Sequence, residues 1–369
     1  MIHTIIPQFA IRGTFTKSER FGSGLINDTY LCEFRDGNEI RKYILQRINT
    51  SVFKQPEQVM ENVEIVTSHI VDKLRAQGVN DPYNHTLMLI RTRSRRSHLR
   101  DDAGGFWRAF HFIESCTVFD TVLDAKHAYE IGRGLGGFQA LVADLAPDKL
   151  HDTLPGFHRT PQYLQEYDDA VRADGRNRVR EVGDEMKFVG CKRSLAPLLT
   201  DLLDAGEIPV RVVHNDPKVN NILIHAVTRE AVCMVDLDTV KPGIVHFDFG
   251  DCVRSAANPA GEDAQDVTTA GFDLSLFEAV TKGYLREAIS FLTEKEIEML
   301  PVSVKVITFE LGLRFLTDYL RGDTYFKIKY PAHNLHRARV QFRLLDCMEK
   351  AEERMVSLVM TLARKQSGR

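Results

Sequence analysis

A dense group of polar side chains lies between two apolar, strand-like runs just past the middle of the chain. In VVHNDPKVNNILI, His-x-Asp is followed five residues after the Asp by an Asn, giving His214, Asp216 and Asn221. Phosphoryl transfer needs a carboxylate that orients the attacking hydroxyl and oxygen ligands that hold a metal on the nucleotide phosphates. The pattern predicts Asp216 as the catalytic carboxylate and Asn221 as a metal ligand. The alternative is a polar surface turn between two strands.

A second metal ligand is predicted in AVCMVDLDTV, where Asp236 ends a strand-like run fifteen residues after Asn221. Carboxylate and amide oxygens suit Mg²⁺. The chain also contains a literal Asp-Phe-Gly at 248–250, but this follows a Lys-Pro-Gly turn and lies farther from Asn221. We therefore assign the metal to Asp236 and predict that Asp248, at the start of a helix, bonds the backbone of the catalytic loop. Asp238 remains open between a second metal ligand and a supporting group.

Two further features could contact a nucleotide. The glycine turn Gly22-Ser23-Gly24 would let backbone amides approach a phosphate closely, and the alternative is an ordinary hairpin turn. Glu64, on a predicted helix over 56–78, could brace a strand residue that holds the phosphates. A solvated helix face is the alternative, and it fits Glu61 better than Glu64.

The elements that must position these groups are unevenly distributed. The first hundred or so residues read as strands with one long helix, and after Ile113 a helical pattern dominates, with two of the strands embedded in it. This predicts an α+β protein with a small β-rich domain over 1–114 and a larger, mainly helical domain over 115–369. The basic run 91–100 could contact phosphates, but a solvated hairpin tip explains it better.

Composition excludes several classes of protein. The chain has 369 residues, 43% of them hydrophobic, and a formal net charge of -3. The hydrophobic fraction is enough for a sizeable core. The small net charge gives no general electrostatic field that would attract nucleic acid or a membrane surface. No apolar run approaches the roughly 20 residues that span a bilayer, and the start does not resemble a signal peptide. Six scattered cysteines without a CxxC pair indicate a cytoplasmic protein with reduced thiols. No obligatory protein partner is evident.

A resemblance covers both halves of the chain. The matching stretches are FGSGLINDTY, YILQRINTSVF, NVEIVTS, LPGFHRTP, HNDPKVNNIL, VDLDTVKPGIVHFDFGD and GLRFLTDYLRGDTYFKIKYPAHNLHRAR. The chain resembles the aminoglycoside-phosphotransferase-like kinases, which share the bilobal protein-kinase fold, and within them the N-acetylhexosamine 1-kinases. The resemblance implies ATP, Mg²⁺ and transfer of the γ-phosphate to the anomeric hydroxyl of a free sugar. It also implies Asp216 as the base, Asn221 and Asp236 on the metal, and an adenine-binding hinge at Phe112 and Ile113 through backbone groups.

Three positions depart from common patterns. Gln46 stands where most kinases of this fold carry a Lys, although the hexosamine kinases resembled here also show Gln in that strand. Leu25 stands where those kinases tend to have His, and Ser255 where they tend to have an aromatic residue. Changes of this kind can reshape an N-acetyl or hydroxyl pocket, because one buried polar contact can decide substrate choice. The class of sugar 1-kinase is therefore better supported than any named sugar.

The late stretch 312–334 is predicted to close the sugar site. Arg314 can fork onto hydroxyl or phosphate oxygens, and Tyr325 can stack on the sugar or bond to it. The alternative is an amphipathic helix in which Arg314 and Asp318 form a salt bridge. His214 is predicted to form a hydrogen bond within its loop and not to act as a base.

Two rival functions stay open. One is a kinase of the same fold that acts on an aminoglycoside, choline or homoserine. A polycationic substrate needs an acidic lining, whereas the last hundred residues place several basic residues beside the acids, among them Arg314, Lys327, Lys329 and Arg337. The other rival is a nucleotide-binding pseudokinase, suggested by Gln46 but opposed by the presence of Asp216.

Overall fold

The computed structural model describes residues 2–22 and 26–368, which form two compact units. The first unit takes the chain up to Cys116 together with Leu145–Pro155 and Val235–Lys241. The second takes Thr117–Asp144, Gly156–Met234 and the residues from Pro242 onward. The predicted division at residue 114 lies close to the first of these breaks, whereas the two later segments of the first unit were not anticipated.

An antiparallel sheet forms most of the first unit. Its strands are β1 (Thr14–Arg20), β2 (Asp28–Asp36), β3 (Glu39–Ile48), β4 (Leu89–Ile90), β5 (Leu99–Arg100) and β6 (Phe106–His111). Their order is β1-β2-β3-β6-β4, with β5 pairing β6. The register sets Gln46 opposite Thr29 on one side and opposite Arg108 on the other. Side chains at directly opposed positions share a face of the sheet and can touch.

One face of this sheet carries the apolar core of the unit. Phe34, Leu45 and Trp107 are buried together with residues of the N-terminal segment.

The first unit also contains a short helix, α1 (Ile2–Ile5), and a long helix, α2 (Pro56–Ala76). Pro56 occupies the first turn of α2, where the missing N–H has no partner to lose, and the buried positions recur at helical spacing. The predicted helix over 56–78 agrees with these bounds to within two residues.

A buried asparagine joins the two later segments to the first unit. The Asn62 amide nitrogen donates to the carbonyl oxygens of His151 (2.9 Å) and Val240 (3.0 Å). Its oxygen accepts from the backbone N–H of His151 at 2.8 Å. Asn62 is 1% exposed, so each of these bonds replaces a bond to water that burial removes. One helical side chain therefore fixes both Leu145–Pro155 and Val235–Lys241.

The second unit is mainly helical. Its helices are α3 (Ala125–Val142), α4 (Thr160–Ala173), α5 (Gly183–Lys192), α6 (Leu198–Asp204), α7 (Val245–Ala256), α8 (Leu274–Ala288), α9 (Glu294–Arg321), α10 (His333–Lys350) and α11 (Glu352–Gln366). Its short strands are β8 (Arg211–Val213), β9 (Ile222–His225) and β10 (Ala231–Met234). The strands β7 (Cys116–Thr117) and β11 (Lys241–Gly243) lie at breaks between the units. With a sheet in one unit and helices in the other, the predicted α+β class is confirmed.

Glycine contacts and helix caps explain how three helices of the second unit are packed and bounded. In α3 and α8, Gly132 and Gly283 stand where a Cβ would lie 1.9 Å from a backbone oxygen of the opposite helix, so only glycine allows this packing. The long helix α9 begins with a capping box, in which Thr293 and Glu296 satisfy each other's backbone N–H groups. It ends at Gly322 in the left-handed conformation. None of the helices in residues 2–22 and 26–368 is long and apolar enough to cross a membrane.

Candidate active site

The loop that follows β8 is held by a buried carboxylate from α7. Asp248 is fully buried, and its oxygens accept from the backbone N–H groups of His214 (2.9 Å) and Asn215 (2.7 Å). The Gln139 side chain donates to the same carboxylate at 2.8 Å. The prediction that Asp248 supports the loop backbone is therefore confirmed. All three neighbours are N–H donors, so the carboxylate is already used within the second unit.

Burial and hydrogen bonding act in opposite directions on Asp248. Burial raises its pKa above the ordinary value of an aspartate, while the neighbouring His214 and the N–H donors around the carboxylate lower it, and the net direction is upward. The hydrogen bond predicted for His214 within its loop is also observed. Its ring is fully buried, and Nδ1 accepts from the backbone N–H of Asp216 at 3.3 Å.

Asp216 and Asn221 are brought together at the end of this loop. The Asn221 amide nitrogen donates to the Asp216 carbonyl oxygen (2.7 Å) and to Asp216 Oδ2 (3.2 Å). Asn221 therefore uses its nitrogen to close the loop, and its amide oxygen is the atom suited to a metal. The Lys218 ammonium lies 2.8 Å from Asp216 Oδ2, and the Asp216 side chain is 30% exposed. The catalytic carboxylate predicted from sequence is therefore ordered and accessible.

Ser255 supports the same loop from α7. Its hydroxyl donates to the Cys252 carbonyl oxygen at 3.0 Å and accepts from the backbone N–H of Val219 at 3.2 Å. Val219 opens the short 3-10 turn that ends at Asn221. These contacts give Ser255 a place in the loop scaffold, and its assignment to the sugar remains a prediction.

Arg314 is enclosed by aromatic rings. Its guanidinium carbon lies 5.1 Å from the ring centre of Phe157, 5.2 Å from that of Tyr163 and 5.6 Å from that of Phe326. Such positions attract a cation to the ring faces. Burial lowers the pKa of Arg314, but the hydroxyls and carboxylates nearby raise it by more, so the group stays charged; they belong to Tyr163, Tyr325, Glu310 and Asp216.

Asp318 takes a different position from that of the salt-bridge alternative, whereas the predicted contact of Tyr325 with the sugar remains a prediction. Asp318 is 4% exposed and accepts from the backbone N–H groups of Thr324 (2.8 Å), Tyr325 (2.9 Å) and Phe326 (2.9 Å). The alternative in which Asp318 forms a salt bridge with Arg314 is thus replaced by a carboxylate that orders the loop after α9. Tyr325 is 55% exposed on this loop, which leaves most of its ring accessible to a ligand.

The predicted metal ligand Asp236 lies in the first unit and directly precedes a 3-10 turn over Leu237–Thr239. Asp236 is exposed and adopts the left-handed conformation with φ of 62°, which Asp tolerates better than most residues. Such conformations outside glycine are frequent at functional sites. The described residues contain no cluster of three or more His, Cys, Asp or Glu side chains suited to a metal. The ligand pair predicted here is one amide and one carboxylate.

Asp238, two residues later, is anchored within the first unit. It is 2% exposed, its Oδ1 lies 2.5 Å from the Arg108 guanidinium, and its Oδ2 accepts from the Asn27 amide at 2.6 Å. Arg108 is 1% exposed and donates through Nε to Gln46 Oε1 at 3.0 Å. Gln46 in turn donates to the Thr29 hydroxyl at 3.0 Å. Asp238 is thus paired with a buried cation, which favours a supporting role.

The other predicted nucleotide residues lie in the first unit as well. Ser23, Gly24 and Leu25 lie outside the described residues, and Gly22 has φ of 76° in its turn. Phe112 packs edge-to-face on Phe21, with ring centres 5.8 Å apart. Ile113 is 8% exposed. Glu64 pairs with Arg91 at 2.7 Å, and Gln46 bonds to Arg108 and Thr29, so the brace expected from Glu64 has a different partner here.

Several residues that support the site were not predicted from the sequence. Arg108 lies in a strand-like run that gave no reason to single out its charge. His158 and Glu310 form a buried pair 152 residues apart in the chain. Gln139 lies in the middle of α3. The stretch LPGFHRTP drew attention to the segment of His158, but its partner could be found only from the fold, because a long-range pair leaves no local pattern.

The fold is shared with solved kinases of small molecules. An aminoglycoside phosphotransferase from Alicyclobacillus acidocaldarius matches over 99% of this chain and 96% of its own, with a TM-score of 0.61 at 11% identity. Choline kinase from Cryptosporidium parvum matches over 94% of this chain and 93% of its own, with a TM-score of 0.54 at 12% identity. Ethanolamine kinase from Plasmodium vivax matches over 88% of this chain and 82% of its own, with a TM-score of 0.53 at 13% identity. Identities this low show the fold alone, and the predicted protein-kinase-like fold is confirmed.

The family itself is identified by sequence. The model of the phosphotransferase enzyme family matches residues 17–285, which is most of the chain and includes the predicted catalytic Asp216. The chain therefore belongs to the phosphotransferase enzyme family.

Proposed function

We propose that the protein is an ATP-dependent kinase that transfers the γ-phosphate to the anomeric hydroxyl of a free sugar, an N-acetylhexosamine or a related hexose. The observation that carries this proposal is the pair formed by an accessible Asp216 and a caged Arg314 within one unit. The first can take a proton from a hydroxyl. The second places a fixed positive charge in the electrostatic range of that carboxylate.

Arg314 bears on the class of acceptor. Aromatic rings that gather around a cation are a common way to bind amines and quaternary ammonium groups. Here the rings of Phe157, Tyr163 and Phe326 already enclose a guanidinium that belongs to the protein. A cationic acceptor near Asp216 would be repelled by this charge, whereas a neutral acceptor with several hydroxyls could take hydrogen bonds from it. This supports a sugar over an aminoglycoside, choline or ethanolamine.

In the proposed reaction, Asp216 orients the C1 hydroxyl and takes its proton. A bond forms between the C1 oxygen and the γ-phosphorus, and the bond from that phosphorus to the β–γ bridging oxygen breaks, releasing ADP. Asn221 and Asp236 are the proposed ligands of Mg²⁺, which would neutralise charge on the β- and γ-phosphates. Gly22, Ser23, Gly24 and Gln46 remain the proposed contacts to the phosphates, and Phe112 and Ile113 the adenine hinge.

The acceptor is tested by ATP consumption with Mg²⁺ against free sugars and their 1-O-methyl glycosides. The panel contains N-acetylglucosamine, N-acetylgalactosamine, glucose, galactose and mannose, and choline and an aminoglycoside serve as cationic comparisons. Turnover with a free sugar that disappears with its methyl glycoside is expected, because the glycoside lacks the C1 hydroxyl. Turnover with the cationic acceptors alone would overturn the sugar assignment. ATP binding without turnover on any acceptor would favour the pseudokinase.

A further inference from the structure

A buried histidine lies against the residue that precedes Asp216. His158 is 4% exposed, and its Nε2 lies 3.0 Å from the carbonyl oxygen of Asn215. Its Nδ1 lies 2.8 Å from Oε1 of Glu310, which is 1% exposed in the middle of α9. The imidazole also stacks on Phe247, with ring centres 4.8 Å apart. Three elements of the second unit therefore meet at this ring.

The two contacts define the protonation state of the ring. A carbonyl oxygen can only accept, so Nε2 must carry a proton to bond to Asn215. A carboxylate also accepts, so the bond to Glu310 requires a proton on Nδ1, and with both protons the ring is an imidazolium. Burial lowers the pKa of His158, but the charge of Glu310 and the bonds to Glu310 and Asn215 raise it by more, and the net direction is upward. The other Glu310 oxygen accepts from the Thr160 hydroxyl at 2.7 Å.

The bond to Asn215 completes a clamp on one peptide unit. The Asn215 N–H donates to Asp248, and its carbonyl oxygen accepts from His158, so buried groups hold both sides of the residue. Asn215 has φ of 66°, a left-handed conformation that costs most non-glycine residues about 1–2 kcal/mol and asparagine less. Released from its partners, this residue would relax towards a commoner conformation. The direction of the next side chain, Asp216, would change with it.

We infer that the His158–Glu310 pair is the positioning device of the catalytic loop, fixing Asn215 so that Asp216 faces its acceptor. The inference rests on the proposed function only in so far as it concerns turnover. The position of the loop can be measured without any acceptor. His158 touches Asn215 and not the reacting atoms, so it is a positioning residue.

The test compares His158→Phe with a matched control, His246→Phe. Both histidines are buried in the second unit, and His246 Nε2 likewise bonds to a backbone oxygen, that of Glu296, at 2.9 Å. Phe keeps a ring in either place and removes the donor. Hydrogen exchange by mass spectrometry is followed in the peptide 212–221, in the absence of any acceptor. We expect faster exchange in His158→Phe than in the wild type, and wild-type exchange in His246→Phe.

Turnover supplies a second readout once an acceptor is known. We expect kcat of His158→Phe to fall about 10²-fold, with KM for ATP changed far less, because a misplacement of about 1 Å has effects of that size. His158→Gln keeps a donor and should recover part of the loss, and His246→Phe should retain kcat.

Wild-type exchange of the loop in a folded His158→Phe, or equal effects in both Phe variants, would overturn the inference. If a Phe variant does not fold, Glu310→Gln, which removes the charge and keeps the size, is compared with His158→Gln by the same exchange measurement. Absence of sugar phosphorylation by the wild type would refute the proposed function and leave the exchange result to decide on the clamp.

Discussion

At the scale of single residues, buried charges in this chain support the residues that face solvent. The sequence allows Asp238 to be either a metal ligand or a supporting group. In the structure it pairs with Arg108 and accepts from Asn27. Gln46, whose missing charge suggested a pseudokinase, accepts from the same arginine. The strand therefore has a buried cation beside it, donated by the neighbouring strand. The absence of Lys at position 46 does not leave this part of the sheet without a positive charge.

The pair formed by Arg108 and Asp238 predicts a non-additive effect on stability. Removing one partner of a buried ion pair leaves an uncompensated charge, so Arg108→Met and Asp238→Leu should each lower the free energy of unfolding by about 3–5 kcal/mol. The double variant should lose much less than the sum, because both charges are gone. Urea unfolding measures all three, with the exposed Arg41→Met as a control expected within about 1 kcal/mol. Additive losses would show that the two charges do not interact.

Arg314 predicts discrimination against charged acceptors. The wild type should prefer N-acetylglucosamine to protonated glucosamine, since the second brings a positive charge towards a guanidinium. Arg314→Met keeps an apolar body inside the aromatic cage and removes the charge, so the ratio of kcat/KM for the two sugars should fall about tenfold or more. An unchanged ratio in a folded variant would mean that Arg314 does not face the acceptor. Lys327→Met, just beyond the cage, serves as the control.

At the scale of elements, the predicted catalytic loop is held by helices that lie far from it in sequence. Asp248 from α7 accepts from the backbone N–H groups of residues 214–215. Gln139 from α3 acts on them through Asp248, and Glu310 from α9 acts through His158. Asp248 could be predicted from the sequence because it follows a Lys-Pro-Gly turn at the start of a helix. The other two could not be predicted, because nothing local distinguishes a buried Gln or Glu in an amphipathic helix from a solvated one.

The buried side chains of His158 and His246 should give opposite dependences of stability on pH. The pKa of His158 is raised, so its contribution is present below the unfolded value of about 6.5 and is lost as pH rises through the folded pKa. The charged groups that act on it are Glu310, Arg314 and Asp251. Burial lowers the pKa of His246 to about 4, so its contribution is lost on acidification from about 6.5 towards 4.

The free energy of unfolding, measured between pH 5 and 9, tests these two opposite dependences on pH. The difference between the wild type and His158→Phe should shrink as pH rises. The corresponding difference for His246→Phe should shrink as pH falls. Parallel curves for the two variants would contradict the protonation states derived from the contacts.

At the scale of the whole molecule, two units divide the chain in a way that the sequence only partly predicts. The change from strand-like to helical periodicity placed the first break near residue 114, and the matched family model and shared fold agree with a phosphotransferase. The return of 145–155 and 235–241 to the first unit depends on Asn62, whose partners lie about 90 and 180 residues away. Hydrogen bonds between a side-chain amide and a distant backbone group leave no periodic pattern in the sequence.

The composition of the first unit predicts the behaviour of a fragment. Residues 1–116 alone would lack Asp238, His151 and Val240, so Arg108 and Asn62 would lose their buried partners. We expect this fragment to be unfolded or much less stable than the intact chain, as measured by circular dichroism and urea unfolding. The double change Arg108→Met and Asn62→Leu should recover part of the stability. A cooperative, fully stable wild-type fragment would contradict the account of this unit.

The position of the transferred phosphate is tested most directly by identifying the product. The best acceptor of the panel is incubated with ATP and Mg²⁺, and the product is examined by ³¹P nuclear magnetic resonance and mass spectrometry, with Asp216→Asn as the control. We expect a sugar carrying one phosphate on C1, formed by the wild type and reduced at least about 10²-fold in the variant, which still binds ATP. Phosphate on another hydroxyl, or equal product from both proteins, would contradict this expectation.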